Sequence, residues 1–440
     1  MQRLKDSVQV ASKKLTPANF RARLRRLCPP TSGQTQHFAL AVSGGADSLS
    51  LLVLAAGAKT ERLTFTVLTF DHQLRPGSSD EADAVCQTAN KYGLPFHKLS
   101  WAGPKPRASL QSAARDARYQ AMLGWCANHG TDGLIVAHHL EDQAETFLLR
   151  LARGSGLDGL TAMRAVSNLK NGVVIRPFLD VRQVDLHAVL QGQDVTPVDD
   201  PSNADARHQR IAFRQNKPLF DTLGLTSARL ADTAQTLQKA RDVLDALTEE
   251  SLTRLVVQAP CGVLSFDRSG FRSLPEDIGI RVLRRVLAMH RPYPPRQSSI
   301  SQLYQFISGK QTGRRTVAGQ IVSVKQALVQ VFREPADIET TPLAVSKGRK
   351  TIWDGRFEVT VSRKATGRYV VMPLGVDGLE WARNKGLSLP KHPAKVLHGL
   401  ACVCKLGAGK RPGKPLAIAD ILTHPGIFID TVAFRTENID

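Results

Sequence analysis

Phe38-Ala39-Leu40-Ala41-Val42-Ser43-Gly44-Gly45-Ala46-Asp47-Ser48 passes from an apolar run into a small, glycine-bearing turn, and residues 49–58 then continue as an almost unbroken apolar stretch. A short apolar run ended by turn residues reads as a buried strand, and the longer run behind it as a buried helix. Strand, loop and helix in this order form the cradle that a phosphate group needs. Gly44 and Gly45 carry no Cβ, so an anion can approach the backbone closely. The start of the helix that follows offers free N–H groups and a dipole that favours negative charge. Ser43 and Ser48 add hydroxyl donors. Asp47 would repel a phosphate unless a divalent cation lay between them, which assigns this carboxylate to Mg²⁺. No lysine follows the glycines, so the loop is not of the GxxxxGK type.

The same texture repeats on either side. Residues 38–42, 63–70, 96–99, 134–137 and 173–176 read as buried strands, and 48–58, 79–92, 110–129 and 142–153 as helices between them. Strict alternation of strand and helix implies an α/β fold, a parallel sheet with helices on both faces. From Thr226 to about Val257 no strand signal occurs, and Leu230, Leu237, Leu244 and Leu247 recur at helical spacing. This leucine stripe reads as the core face of a helical module reaching to about residue 308. After Lys310 short β-like runs (321–331, 357–361, 369–372) are punctuated by Gly and Pro, as in a small α+β domain. The expected organisation is a catalytic domain over 1–223, a mainly helical domain over 224–340 and a basic C-terminal domain over 341–440.

A chain of 440 residues exceeds what one core ordinarily serves. Its 42% apolar and 22% charged residues exclude wholesale disorder. The net charge of +20 draws polyanions and opposes cationic partners, which makes nucleic acid the leading partner class. Between Lys347 and Lys414 stand 15 Lys and Arg against 4 Asp and Glu, so this region is expected to dock on phosphates. No apolar run approaches the roughly 20 residues that cross a bilayer, so no membrane association is expected. The basic N-terminus reads as an amphipathic first helix from near Pro17 rather than a transit peptide. Six cysteines without a CxxC pair suggest neither a zinc site nor disulfides, and point to a reducing cytoplasm. Cys402 and Cys404 would share one face of a strand.

Further segments carry a specific likeness. Asp71-His72-Gln73-Leu74-Arg75 follows the second strand, and Gln111-Ser112-Ala113-Ala114-Arg115-Asp116-Ala117-Arg118-Tyr119 opens a later helix. Ala137-His138-His139-Leu140-Glu141-Asp142-Gln143-Ala144-Glu145-Thr146 leads into Arg153-Gly154-Ser155-Gly156, and Asp200-Pro201-Ser202-Asn203 precedes Arg210 and Arg214. With the SGGxDS loop ahead of them, these segments resemble the N-type ATP pyrophosphatase superfamily and, within it, the tRNA(Ile)-lysidine synthases. The likeness covers roughly residues 36–216. The chain departs from the family pattern at Gln73 (Gly), Gln111 (Glu), Glu141 (Asp) and Ile211 (Asn). Beyond 226 only the layout is alike.

The resemblance implies an enzyme that uses ATP to attach free L-lysine to C2 of the wobble cytidine of the CAU-anticodon isoleucine tRNA. O2 would attack the α-phosphate with loss of pyrophosphate, and the lysine ε-amine would then displace AMP. It implies that Ser43, Gly44, Gly45, Ala46, Asp47 and Ser48 hold ATP, with Mg²⁺ on Asp47. Asp142 and Glu145, three apart on a helix and therefore on one face, are expected to grip the lysine ammonium. Asp142 could also take its proton. Arg115 is expected near the α-phosphate or the activated cytidine, with Arg118 as an ion-pair partner. His72, His138 and His139 are expected to hydrogen-bond or to serve structure. The tRNA would be held by the two downstream domains, and oligomeric state, homodimer included, stays open. Two rivals share the loop: a tRNA 2-thiolase, of which the cytidine-32 type needs paired cysteines that are absent here, and a non-catalytic ATP-sensing module.

Overall fold

The computed structural model describes residues 15–418 except 75–77, 102–104, 107–109, 170, 199–208, 260, 290–294, 390–393 and 408–411. The chain forms two compact units, one through Arg241 and one from Asp242. In the first unit α1 (Pro17–Leu27), β1 (Gln36–Ala41), α2 (Ala46–Ala58), β2 (Leu63–Asp71), α3 (Ser78–Lys91), β3 (Phe96–Ser100), α4 (Leu110–Asn128) and β4 (Gly133–Ile135) follow one another. α5 (Leu140–Ala152), α6 (Leu157–Leu160), β5 (Val166–Leu169), β6 (Gly172–Ile175), α7 (Gln183–His187), α8 (Gln209–Gln215), α9 (Lys217–Thr222) and the long α10 (Ser227–Leu255) complete it. The boundary between the units falls inside α10, and the expected boundary at 223 lies in the turn before it.

The sheet has the order β3-β2-β1-β4-β6-β5. β3, β2, β1, β4 and β6 run parallel, and β5 joins as an antiparallel edge strand on β6. Successive side chains of a strand point to opposite faces, and both faces here are apolar. Phe38 and Leu40 of β1 with Phe65 and Val67 of β2 enter a core with Phe20 and Leu24 of α1 and Leu51, Leu52 and Leu54 of α2. Ala39, Leu68 and Phe70 enter the other core, with Met122, Leu123 and Cys126 of α4. Burial on both faces explains why these strands read as continuous apolar runs. β5 escaped the sequence reading because its Ser167-Asn168 centre interrupts any apolar run.

Chain order reverses beside β1, whose neighbours are β2 on one side and β4 on the other. The crevice at the carboxyl ends of the strands opens at such a switch point, and the β1–α2 loop leaves from there.

The second unit continues with β7 (Val257–Gln258), β8 (Leu264–Asp267), α11 (Arg268–Arg272), α12 (Glu276–Ala288), α13 (Gln297–Ser308), β9 (Gly313–Val317), β10 (Gln320–Val324) and β11 (Leu328–Arg333). Its first sheet is antiparallel, ordered β7-β8-β11-β10-β9, and packs on α11 to α13 around Val282, Val286, Ile300 and Leu303. The helical stretch expected to about residue 308 is thus broken by β7 and β8, two strands too short to leave a periodic signal. β12 (Leu343–Val345), β13 (Lys350–Trp353), β14 (Phe357–Thr360), β15 (Tyr369–Pro373), α14 (Gly375–Asn384), α15 (Ala394–Leu397), β16 (Ala401–Leu406) and β17 (Pro412–Ile418) follow. The order β12-β15-β16-β17, with the β13-β14 hairpin beside it, encloses a core around Trp353, Phe357 and Val371. Cys402 and Cys404 are both buried on β16, their sulfurs 3.6 Å apart. Among the described residues no helix is long and apolar enough to cross a membrane.

Candidate functional site

The loop after β1 adopts the form its glycines allow. Gly44 has φ +91°, a conformation that L side chains rarely adopt, and Gly45 caps α2 in extended conformation. Gly44 O accepts a hydrogen bond from Val198 N–H at 3.0 Å, which ties the loop to the chain beyond α7. Ser48 was expected to donate to phosphate, but its buried hydroxyl donates to Gly45 O at 2.9 Å and accepts from Ser43 N–H at 3.1 Å. Ser48 therefore closes the loop on itself. Ser43 Oγ lies 3.4 Å from Ser48 Oγ at the same turn.

Asp47, in the first turn of α2, has Oδ1 2.8 Å from His187 Nε2, 3.5 Å from Gln183 Nε2 and 3.7 Å from His139 Nε2. Its Oδ2 meets no hydrogen-bond partner among the described residues. No group of three or more His, Cys, Asp or Glu among the described residues has metal-holding geometry. That does not oppose the Mg²⁺ expectation, since magnesium commonly takes one or two carboxylates plus substrate phosphates and water. The half-exposed carboxylate with one open oxygen fits that mode.

Beside Asp47, His139 is buried at the N-cap of α5, 2% exposed. Its Nδ1 lies 3.0 Å from Glu141 Oε2, its Nε2 3.5 Å from Asp142 Oδ2, and its backbone N–H donates to Asp142 Oδ2. Burial pulls the imidazole pKa down, but the Glu141 hydrogen bond and the charges of Asp142, Asp47 and Glu141 outweigh it, and the result stands above the ordinary histidine value. Burial raises the Glu141 pKa, yet the bonds from His139 and from Gln183 N–H leave it below the usual carboxylate range. Glu141, where the family pattern has Asp, thus reaches from α5 to the start of α7.

α5 starts at Leu140, two residues before the expected start, which makes Asp142 its N3 residue. Glu145 follows one turn later. Its two oxygens receive Arg214 of α8 in a bidentate pair, Nε to Oε1 at 2.5 Å and Nη2 to Oε2 at 3.2 Å, and Arg214 Nη2 lies 3.9 Å from Asp142 Oδ1. The hydrogen bonds that Arg214 donates to Glu145, with the charges of Glu145, Asp142 and Asp47, hold its pKa above the ordinary value despite burial. The two carboxylates expected to receive a lysine ammonium do share one helix face, and a cation of this chain already occupies it.

Arg115 stands apart from that group. Its guanidinium lies 5.3 Å from the ring centre of Tyr119, and that of Arg118 lies 5.6 Å from it. Arg118 and Arg176 have pKa values lowered first by burial, then by the positive charge of Arg115. The expected ion pair of Arg118 is not found among the described residues. These cations gather in the first half of α4 and just after β6, at the carboxyl edge of the sheet, where added negative charge would relieve their mutual repulsion.

On β2, buried Asp71 accepts from Gln73 N–H at 2.8 Å. Gln73 has φ +51°, the left-handed region in which glycine is free and glutamine strained, which is why a glycine suits this place. His72 packs its ring against Phe70 and Trp101. Gln143 is structural, its amide bonding Met163 at both N–H and C=O. Arg150 Nη1 donates to Gly159 O and Ala162 O and holds the turn after α5. Arg75 and Asp200 to Asn203 lie outside the described residues, as do the side chains of Gln111, Arg210 and Ile211. His187 and Gln183 were missed by sequence reasoning. They carry no motif, and only the packing of α7 against α2 brings them to Asp47.

The PP-loop domain family matches residues 17–218. A protein of Methylobacterium nodulans named tRNA(Ile)-lysidine synthase is 40% identical over 279 residues, 63% of this chain and 81% of that one. One of Wolbachia pipientis wMel with the same name is 32% identical over 342 residues, 76% and 79% of the two chains.

Proposed function

The chain belongs to the tRNA(Ile)-lysidine synthases, ligases built on a PP-loop ATP-binding domain, and on that premise we propose that it joins free lysine to C2 of the wobble cytidine in the CAU-anticodon isoleucine tRNA through an adenylated cytidine. The observation that carries the proposal is the meeting of Asp47, His139, Glu141, Asp142, Glu145 and Arg214 beside the Ser43–Ser48 loop.

A pyrimidine carbonyl oxygen is a poor leaving group, so it must be activated before an amine can displace it. In this proposal the amides around Gly44 and Gly45 hold the triphosphate tail, and Asp47 would hold Mg²⁺, whose charge neutralises the departing pyrophosphate. O2 of the extruded base attacks the α-phosphorus, and the bond to pyrophosphate breaks. Arg115, among cations whose repulsion an anion relieves, steadies the added negative charge. The lysine ε-ammonium then enters on Asp142 and Glu145 and displaces Arg214 from them. Asp142 takes one proton from the ammonium and so frees the amine lone pair, the C2–N bond forms as the C2–O bond to AMP breaks, and the second proton of that nitrogen leaves with the departing phosphate. The second unit, including the basic 341–440 region, carries the tRNA.

The test is transfer of labelled lysine, with ATP and Mg²⁺, to the CAU-anticodon isoleucine tRNA and to methionine tRNAs. Label is expected in the first alone. Its absence from every tRNA would remove the lysidine proposal, and its presence in all would remove the specificity. ATP binding without turnover would leave a sensing module.

A further inference from the structure

We propose that the cleft between the start of α13 and edge strand β9 is a docking site for the sugar-phosphate backbone of RNA, resting on the tRNA reading above and naming where that partner is gripped. The cleft has a volume of about 560 Å³. Arg296, Ser299 and Gln302 line it from the α13 side, Arg315 and Thr316 from β9, and buried Leu303 forms part of its floor. Each of these polar side chains can donate a hydrogen bond, and none of the lining residues is an acid.

Sequence explains why no acid intrudes. From Ile278 to Arg333 the chain has no Asp or Glu, while it has 10 Lys and Arg. Acids from outside the stretch pair with some of these cations, Asp245 and Asp277 with Arg281 and Glu249 with Arg285, but none reaches the two arginines of the cleft. Arg296 and Arg315 are exposed, and neither makes an ion pair with any described residue. Arg315 is nevertheless held in place, since its Cζ lies 4.5 Å from the centre of the Phe306 ring. Stacking of this kind orders the planar fork before a ligand arrives and reduces the entropy that binding would otherwise cost.

The shape selects among anions. A small anion is bound tightly when a cavity encloses it, whereas here both cations are exposed on a wide opening. Arg314 and Lys310, close in sequence and exposed, add positive charge near the cleft, so the charge is spread rather than focused. A spread of cations interleaved with Ser, Thr and Gln matches a chain of phosphates and ribose hydroxyls, which such side chains contact without reading sequence.

The experiment measures the affinity of the full-length protein for fluorescent tRNA across a salt series, for wild type, Arg296→Ala with Arg315→Ala, and Thr316→Glu. The last leaves both arginines and the Phe306 stack intact, so it reports on the cleft even if the double variant loses its fold. We expect about 10–100-fold weaker binding near 0.15 M salt for each, and for the double variant a slope of log K against log salt smaller by roughly 1.4–1.8, about two phosphates. ATP affinity should stay unchanged. Wild-type affinity and slope in Thr316→Glu and in a folded double variant would overturn the site. If the variants weaken tRNA binding while wild type transfers no lysine, the cleft stands and the lysidine reading falls. If wild type forms lysidine and the variants bind tRNA like it, the cleft falls and the enzyme reading stands.

Discussion

Asp47 and Asp142 belong to one cluster, but their surroundings separate them. Asp47 leaves Oδ2 open at the phosphate loop, whereas Asp142 Oδ2 caps α5 through the His139 N–H. Asp47→Ala is therefore expected to lower tRNA-dependent pyrophosphate release by about 10²–10³-fold, the scale of losing a charge-stabilising group. Asp142→Asn keeps an acceptor for the cap, so pyrophosphate release should stay near the wild-type rate while lysine incorporation fails. Equal loss of the first step in both variants would contradict this division. Asp71 offers a test independent of catalysis. Burial raises its pKa, but the bonds from Gln73 N–H and Ser78 and the charge of Lys98 bring it below its ordinary value of 3.8. A carboxyl with a depressed folded pKa contributes stability that is present above the unfolded value and lost as pH falls through the folded one. Denaturant melts should therefore show wild type losing stability on acidification from about pH 5 downward, with a shallower loss in Asp71→Asn. Parallel acid limbs would refute it.

At the scale of elements, α1 shows how composition and packing divide the explanation. Its basic residues and the start at Pro17 were legible, as was its amphipathic character, with Phe20 and Leu24 buried and Arg25 and Arg26 exposed. What it packs against was not. Phe20 packs with its ring tilted against Phe65 and Phe178, the ring centres 6.0 and 5.7 Å away. α1 also approaches α2 so closely that a Cβ on Gly57 would meet Pro17 Cγ at 2.6 Å. Phe20→Ala is expected to destabilise the first unit by about 3–5 kcal/mol, as for other fully buried aromatic truncations. A change below about 1 kcal/mol in a denaturant titration would mean that α1 is not part of the core. The strands buried on both faces were readable because a run of apolar residues is a local signal. β5, β7 and β8 were not, being only two to four residues long, with their partners supplied from elsewhere.

For the molecule as a whole, charge is the property that reaches furthest. A net charge of +20 acts at a distance on a polyanion. tRNA affinity should then fall roughly 10³-fold between 50 and 200 mM salt if about six phosphates are neutralised, while the KM for lysine changes little. An affinity indifferent to salt would show that the charge is only a solvated surface. Charge, the alternation of strand and helix, and the strand-loop-helix at Ser43–Ser48 were all readable from the chain alone, because each depends on neighbours within a few residues or on a simple sum. The partners in the site were not. His187 meets Asp47 from 140 positions away, Arg214 takes the carboxylates meant for an ammonium, and Arg296 faces Arg315 across a cleft. Those meetings follow from strand order and from how helices cross over the sheets, and no local period in a sequence encodes which distant side chains such crossings bring together.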